Sequence, residues 1–300
     1  MAKLDSPIQP GHMAPYGKLP VPHLTPELLG LVRSGDVYSL AVMHYEGIQV
    51  PGPMVPYTLS GRIRHGDLKD IAPASAAAEI ITMSAHTATH IDALCHIGEY
   101  QNAAGEIDME GEVHIYGGEG KTVAAAVFGS YTGQQYMSIA EMPPIVTRGI
   151  LLDVAGYRGD AVLLDNYAIS VEDIKGTLAK QKTEMRTGTA VLVRTGYYQH
   201  LRDDNLLYRD SIAGLSLESA RVLVEQGMIL AGADTMTVEA LPPMSHPVHR
   251  FLLVHNGITH LENVYLEELA ARRIYEFLLI VTPLRLLGAT GSWVHPIAIA

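Results

Sequence analysis

Four side chains that bind divalent metals, His86, His90, Asp92 and His96, fall within the eleven-residue stretch HTATHIDALCH, and no regular backbone brings them to one ion. Imidazole and carboxylate together suit a borderline ion such as zinc or manganese. On a continuous strand all four would share a face, but at about 3.3 Å per residue His86 and His90 would stand about 13 Å apart. On a continuous helix His86 and His90 align at i and i+4, while Asp92 lies about 200° further round the axis. The spacing therefore predicts a bent entry. A turn or bulge through Thr87, Ala88 and Thr89 folds His86 back toward His90, and a short extended piece sets Asp92 beside them, with His96 a little beyond. The helical zinc-protease pattern needs a glutamate directly after the first histidine; Thr87 stands there and excludes it.

The stretch resembles the His-x-Gly-Thr-His-x-Asp-x-x-x-His signature of the metal-dependent cyclase family, which includes bacterial kynurenine formamidases, isatin hydrolases and trans-dienelactone hydrolases. Every polar position of the signature is present. Ala88 stands where the family usually has Gly, which puts a Cβ into the turn, and Leu94 and Cys95 depart from the commoner Pro-containing version. Further pieces agree. Gly232 to Thr235 followed by Val238 and Glu239 look like the family's GADT/VE turn, and Pro283 to Trp293, with its GATGSW run, looks like the closing strand pair. A second window holds His246, His249, His255, His260 and Glu262, and its part PVHRFLLVHNGITHLENV resembles the family segment in which a histidine and a glutamate complete a second metal site. By that match the pair is His249 and Glu262, across a loop one residue longer than usual. The resemblance runs from about residue 37 to the end. It implies a swivelling β/β/α-type fold and one or two ions, Zn²⁺ or Mn²⁺, held by His86, His90, Asp92, His249 and Glu262. Asp92 would bridge, and His96 would be the catalytic proton carrier.

Histidine placement supports the same two windows: seven of the fourteen histidines lie within residues 86–96 and 246–260. The net charge of −11, with no Lys/Arg cluster, excludes nucleic acid and an anionic membrane as partners and leaves a small-molecule substrate. One cysteine, Cys95, precludes an intrachain disulfide and makes the reducing cytoplasm the expected compartment. The apolar run Phe277 to Leu287 is broken by Pro283 and Arg285; it is too short for a membrane span and reads as a core strand. Cys95 itself reads as a small buried residue.

In chain order, residues 1–36 read as an arm and first helix, and residues 37–300 as one domain. The Pro- and Gly-rich stretch 6–26 is a wrapping segment, with a second subunit as a possible surface; the expected assembly is a homodimer or dimer of dimers. Thr25 caps a helix with Pro26 at its first position, ending near Gly35. Val37 to Val42 is a strand. Residues 43–57 form a loop; the family resemblance implies that this loop helps to line the substrate pocket and so makes His44 and Tyr45 candidate pocket residues, and 76–84 is a buried strand leading into the metal motif. Residues 98–120 form a hairpin or lid. Strands at 147–154, 189–194 and 228–233 alternate with helices at 170–181 and 216–225, where Ser170 with Asp173 reads as a capping box and Ser216 as a cap. This pattern indicates an α/β body with a mixed sheet or barrel-like core flanked by helices. Asp234 and Glu239 read as local caps, Arg194 as a salt-bridge partner, and Tyr197 and Tyr198 as packing residues.

The expected activity is metal-dependent hydrolysis of a small amide, cyclic amide, formamide or lactone. Two rivals stand beside it: a metal-dependent cyclase or dehydratase, and a non-catalytic metal- or ligand-binding protein.

Overall fold

Nearly continuous apolar runs at 149–152, 190–193 and 228–233 have the composition of strands covered on both faces. The computed structural model describes residues 15–300 apart from Pro51, Pro53, Phe128, Tyr131, Thr132 and residues 204–211. Among the described residues nine strands form one mixed sheet. In chain order they are Val37–Ser39 (β1), His90–Asp92 (β2), Ile145–Asp153 (β3), Thr189–Arg194 (β4), Met228–Ala233 (β5), Thr259–Glu262 (β6), Glu276–Val281 (β7), Gly291–Trp293 (β8) and Ile297–Ile299 (β9). Across the sheet they run β1-β9-β7-β3-β4-β5-β6-β2-β8. The neighbours from β3 to β6 are parallel. The outer pairs on both sides are antiparallel.

Alternation along the central strands feeds two cores. Ile150, Leu152, Val191, Val193, Ala231 and Ala233 pack with Ile174 of helix Val171–Gln181 (α1) and Leu223 of helix Leu217–Glu225 (α2). Leu151, Ala190, Leu192 and Leu230 enter the opposite core, closed by Tyr16, Leu19, Ile115 and Tyr116. Both helices start as their sequences dictate: Ser170 and Asp173 form a capping box, and the Ser216 side chain accepts from the Ser219 amide. The α/β reading with a mixed sheet flanked by helices is what the molecule shows.

Several local expectations need correction. The strand expected over 76–84 is Ala78–Thr82, but it is exposed throughout and among the described residues pairs only with Thr58–Ile63, outside the main sheet. Its isoleucines have the composition of a core strand but lie on a two-stranded ribbon that no second layer covers among the described residues. The first helix, capped by Thr25, stops at Leu29 because Gly30 ends it. The strand expected over 277–287 ends at Val281, ahead of Pro283, and leaves Leu284 and Leu287 exposed. Residues 98–120 do fold back on themselves, as strands Glu99–Gln101, Glu112–Gly118 and Lys121–Ala124. Residues 6–14 of the arm, and Pro51 and Pro53 of the 43–57 loop, lie outside the described residues. Residues 16–19 of the arm lie on the chain's own body: Tyr16 and Leu19 are buried and the Lys18 amide donates to the Gly257 carbonyl.

Candidate metal centre

The turn before β2 has the bend that the spacing demands. Residues 85–89 leave regular structure, and Ala88 takes a left-handed conformation at φ 54°. Thr89 pins the bend: its hydroxyl donates to the Asn263 carbonyl and accepts from the Val42 amide. The Asn263 amide group donates to the Ala88 carbonyl, so the chain just beyond β6 clamps the bend from the other side. The folded-back His86 ring lies over Gly291 of β8, where a Cβ would meet its Cε1 at 2.7 Å. Glycine is required there by this close approach.

Strand pairing supplies the rest. In the antiparallel β6–β2 pair Glu262 stands opposite His90, and the same register continued by one residue sets His260 opposite Asp92. Side chains opposite each other share a face about 5 Å apart, and residues i and i+2 share it along each strand. His90, Asp92, His260 and Glu262 therefore form a square on one face, while Ile91 and Leu261 point into the core behind. His249 comes from the helical segment Pro247–His249, which runs into a π-helix over Arg250–His255. His96 arrives through a turn after Asp92, its amide donating to the Ala93 carbonyl, and its ring stacks on His86 at 4.0 Å.

Asp92 is the hub. Its Oδ1 accepts from His86 Nδ1 at 2.8 Å and lies 3.4 Å from His90 Nε2. The Nε2 atom of His90 is also 3.4 Å from Glu262 Oε2, and His249 Nε2 is 3.3 Å from Glu262 Oε1. The ligand atoms of His86, Asp92 and His96 lie within 4.8 Å of one another, and so do those of Asp92, His249, His260 and Glu262. Two donors bonded at about 2.1 Å to one tetrahedral ion sit about 3.4 Å apart. The spacing thus fits shared ions. The outer nitrogens of two rings are fixed in the manner of ligating imidazoles: His90 Nδ1–H donates to the Ala88 carbonyl at 2.8 Å, and His249 Nδ1–H to Glu239 at 2.5 Å.

The electrostatics also call for a cation, since Asp92, Glu239 and Glu262 are all at most 3 % exposed. Burial alone would lower His90 and His249, but their carboxylate partners outweigh it and push both up to about 10. Burial would raise Asp92, yet the His96 and His86 imidazoles hold it well below its ordinary value. Burial pushes His96 down to about 3, so its ring is neutral at pH 7. A divalent ion fits the donor set, the spacing and the charge.

All six residues singled out in the sequence, His86, His90, Asp92, His96, His249 and Glu262, meet here. His44 lies against this centre, where burial and the charge on His90 lower its pKa, whereas the Tyr45 hydroxyl reaches toward the Leu201 carbonyl. Asp234 is not a local cap: it accepts from the Thr195 and Gly196 amides, 39 and 38 residues away in sequence. Arg194 pairs with Asp153 and Glu267, and Tyr197 and Tyr198 pack as expected. Cys95 is buried in the core behind the site, and burial pushes its thiol up to about 12. Glu239 departs from the local-cap reading. It accepts from the Val248 amide but also holds His246 and His249, and so positions the second half of the site. His260 joins them without a role expected from the sequence; its i, i+2 relation to Glu262 on a strand is the signal that points to it.

The family described as putative cyclase matches residues 38–240, a stretch that stops before His249, His260 and Glu262. Kynurenine formamidase of Bacillus thuringiensis (strain Al Hakam) is 29% identical over 217 residues, 72% of this chain and 77% of the relative. A crystal structure described as a novel cyclase is 28% identical with a TM-score of 0.79, covering 92% of each chain. Isatin hydrolase A from Labrenzia aggregata, 20% identical, shares the fold at a TM-score of 0.62 over 91% of this chain and 97% of its own.

Proposed function

The chain belongs to the putative cyclase family, and from that premise we propose that it is a metal-dependent hydrolase of a small amide, with formamides, cyclic amides and lactones as the substrate class. The similarity to a kynurenine formamidase supports the amide. The observation that carries the reading is the set of buried donors gathered round Asp92 and Glu262, where His90 and His249 stand 3.3–3.4 Å from the carboxylate oxygens, too long for good hydrogen bonds and suited to shared ions.

In this reading His86, His90 and Asp92 would hold one ion, and His249 and Glu262 would help to hold a second. Zinc and manganese both suit these donors. A bound divalent ion supplies Lewis acidity, lowering the pKa of water toward about 7 and polarising a carbonyl oxygen. His96 does the proton work: its ring beside Asp92 accepts a proton from the attacking water and returns it to the departing nitrogen or oxygen. Glu239 keeps the His249 ring turned so that Nε2 faces Glu262. Arg194 is committed to Asp153 and Glu267 and does not serve the substrate.

The single buried thiol suits a reducing cytoplasm, and no helix among the described residues is long and apolar enough to cross a membrane. Exposed Leu59 and Ile81, opposite each other on the lone ribbon, support a homodimer as the basic assembly, in which a second copy covers them.

The test is hydrolysis of aryl formamides, isatin-like cyclic amides and lactones after exhaustive chelation and after return of Mn²⁺ or Zn²⁺. Activity should vanish and return with metal, and ¹⁸O from solvent water should enter the acid product. The His96→Ala protein should bind metal while turning over about 10²–10⁴-fold more slowly. Full activity in metal-free protein would falsify the proposal.

A further inference from the structure

His260 is a fully buried histidine with no hydrogen bond on either ring nitrogen among the described residues. Such a ring costs free energy that an apolar side chain in the same place would not, because buried polar atoms are normally paired. The Oδ2 atom of Asp92, directly across the strand pair, is equally buried and equally without a hydrogen-bond partner. His260 Nδ1 lies 3.9 Å from that oxygen and 3.9 Å from Glu262 Oε1. Those gaps exceed a hydrogen bond, but two donors on one ion at about 2.0–2.2 Å can stand up to about 4.4 Å apart. The His249 ring meets His260 edge-on at 4.4 Å, which closes the fourth side of the group.

Resting on the metal-hydrolase reading above, we infer that His260 is the fourth protein donor to the second ion, so that the two ion positions are unequal. Asp92, His249, His260 and Glu262 complete one position with protein atoms alone, and it retains its ion as a structural centre does. His86 and His90 share Asp92 at the other position, which keeps an open place for water and substrate and exchanges its ion more readily. Four-coordinate closed sites and three-ligand open sites divide in this way between holding and catalysis. His260 is a metal-positioning residue here: it serves the reaction by fixing the ion that shares Asp92. Unlike His90 and His249, it has no carbonyl or carboxylate fixing its outer nitrogen, so its loss should weaken the closed position without abolishing it.

The test compares wild type with His260→Leu and with His260→Gln, which retains a polar side chain. Zn²⁺ affinity is measured by competition with a chromophoric chelator, and coordination by the visible absorption of Co²⁺-loaded protein. Wild type should bind two ions in separable steps, the tighter Co²⁺ giving the strong bands of a four-coordinate centre. In the variants the tighter step should weaken by about tenfold or more while the looser step is unchanged, the size of effect expected when a metal site loses a supporting group. Melting of the metal-free proteins identifies a variant that fails to fold, and the comparison then rests on the other variant and on the wild-type Co²⁺ spectrum. Unchanged affinities and an unchanged Co²⁺ spectrum in a folded variant overturn the role of His260, as does a wild type that binds one ion only; hydrolysis persisting in either case leaves the broader reading standing. A wild type that binds no divalent ion overturns both.

Discussion

Ala88 carries a demanding backbone position of the site, a left-handed turn residue with a Cβ at the point where His86 is folded back. That conformation costs an L-residue about 1–2 kcal/mol. Glycine would remove the strain, but it gives up a buried methyl worth about 0.8 kcal/mol and adds about 0.5–1 kcal/mol of chain entropy. These terms nearly cancel. Ala88→Gly should therefore change stability by less than about 1 kcal/mol, whereas Ala88→Val adds β-branching at positive φ and volume to a packed site and should cost about 2–4 kcal/mol. Thermal unfolding of the metal-free proteins decides; a strongly stabilised glycine variant would show that the methyl contributes nothing. At this scale the donors His86, His90, Asp92 and His96 were legible because their chemical types crowd into one short stretch. Glu239 was not, because its tie to His249 depends on a turn that local sequence does not describe.

Elements whose ends are fixed by their own side chains were the easiest to read. Helix α1 begins at Ser170 and Asp173 because each bonds the other's backbone, a contact contained within four residues. Burial would raise the Asp173 carboxyl, but hydrogen bonds from Ser170, Tyr167 and Arg158 outweigh it and hold the pKa below its ordinary value. A depressed pKa contributes stability that is present above the ordinary aspartate range of about 3.9 and is lost as pH falls through the folded value. Asp173→Ala should thus cost about 1–2 kcal/mol at pH 7. The deficit should shrink as denaturant unfolding is repeated below about pH 4, and a constant deficit down to about pH 2 would refute the charge-based part of the account. Strand β6 teaches the opposite lesson. Thr259, His260, Leu261 and Glu262 alternate cleanly, yet which face looks toward the site depends on β2 lying alongside in one register.

At the level of the whole molecule, the ribbon of Thr58–Ile63 and Ala78–Thr82 stands apart from the sheet with Leu59 and Ile81 about half exposed. Fully burying such side chains is worth about 1.5–3 kcal/mol each, so covering the exposed half contributes about half of that and favours association. The mass in solution should be that of a dimer, and the double change Leu59→Lys with Ile81→Lys should yield monomer by light scattering with the fold unchanged; a wild-type monomer would sink the proposed assembly. The arm, too, owes its place to the body, because the Tyr16 hydroxyl accepts from the Leu94 amide just past β2, a partner 78 residues away. By itself the sequence determined the kind of chemistry, through the ligand types in HTATHIDALCH, and the α/β alternation with its capped helices, because spacing, caps and apolar periodicity act over a few residues. Only the tertiary structure decided that His260 joins the site, that Glu239 holds His249, and that the isoleucines of 78–82 stay at the surface. Each of these depends on which strands lie side by side and what covers them, and that is settled by long-range pairing and burial.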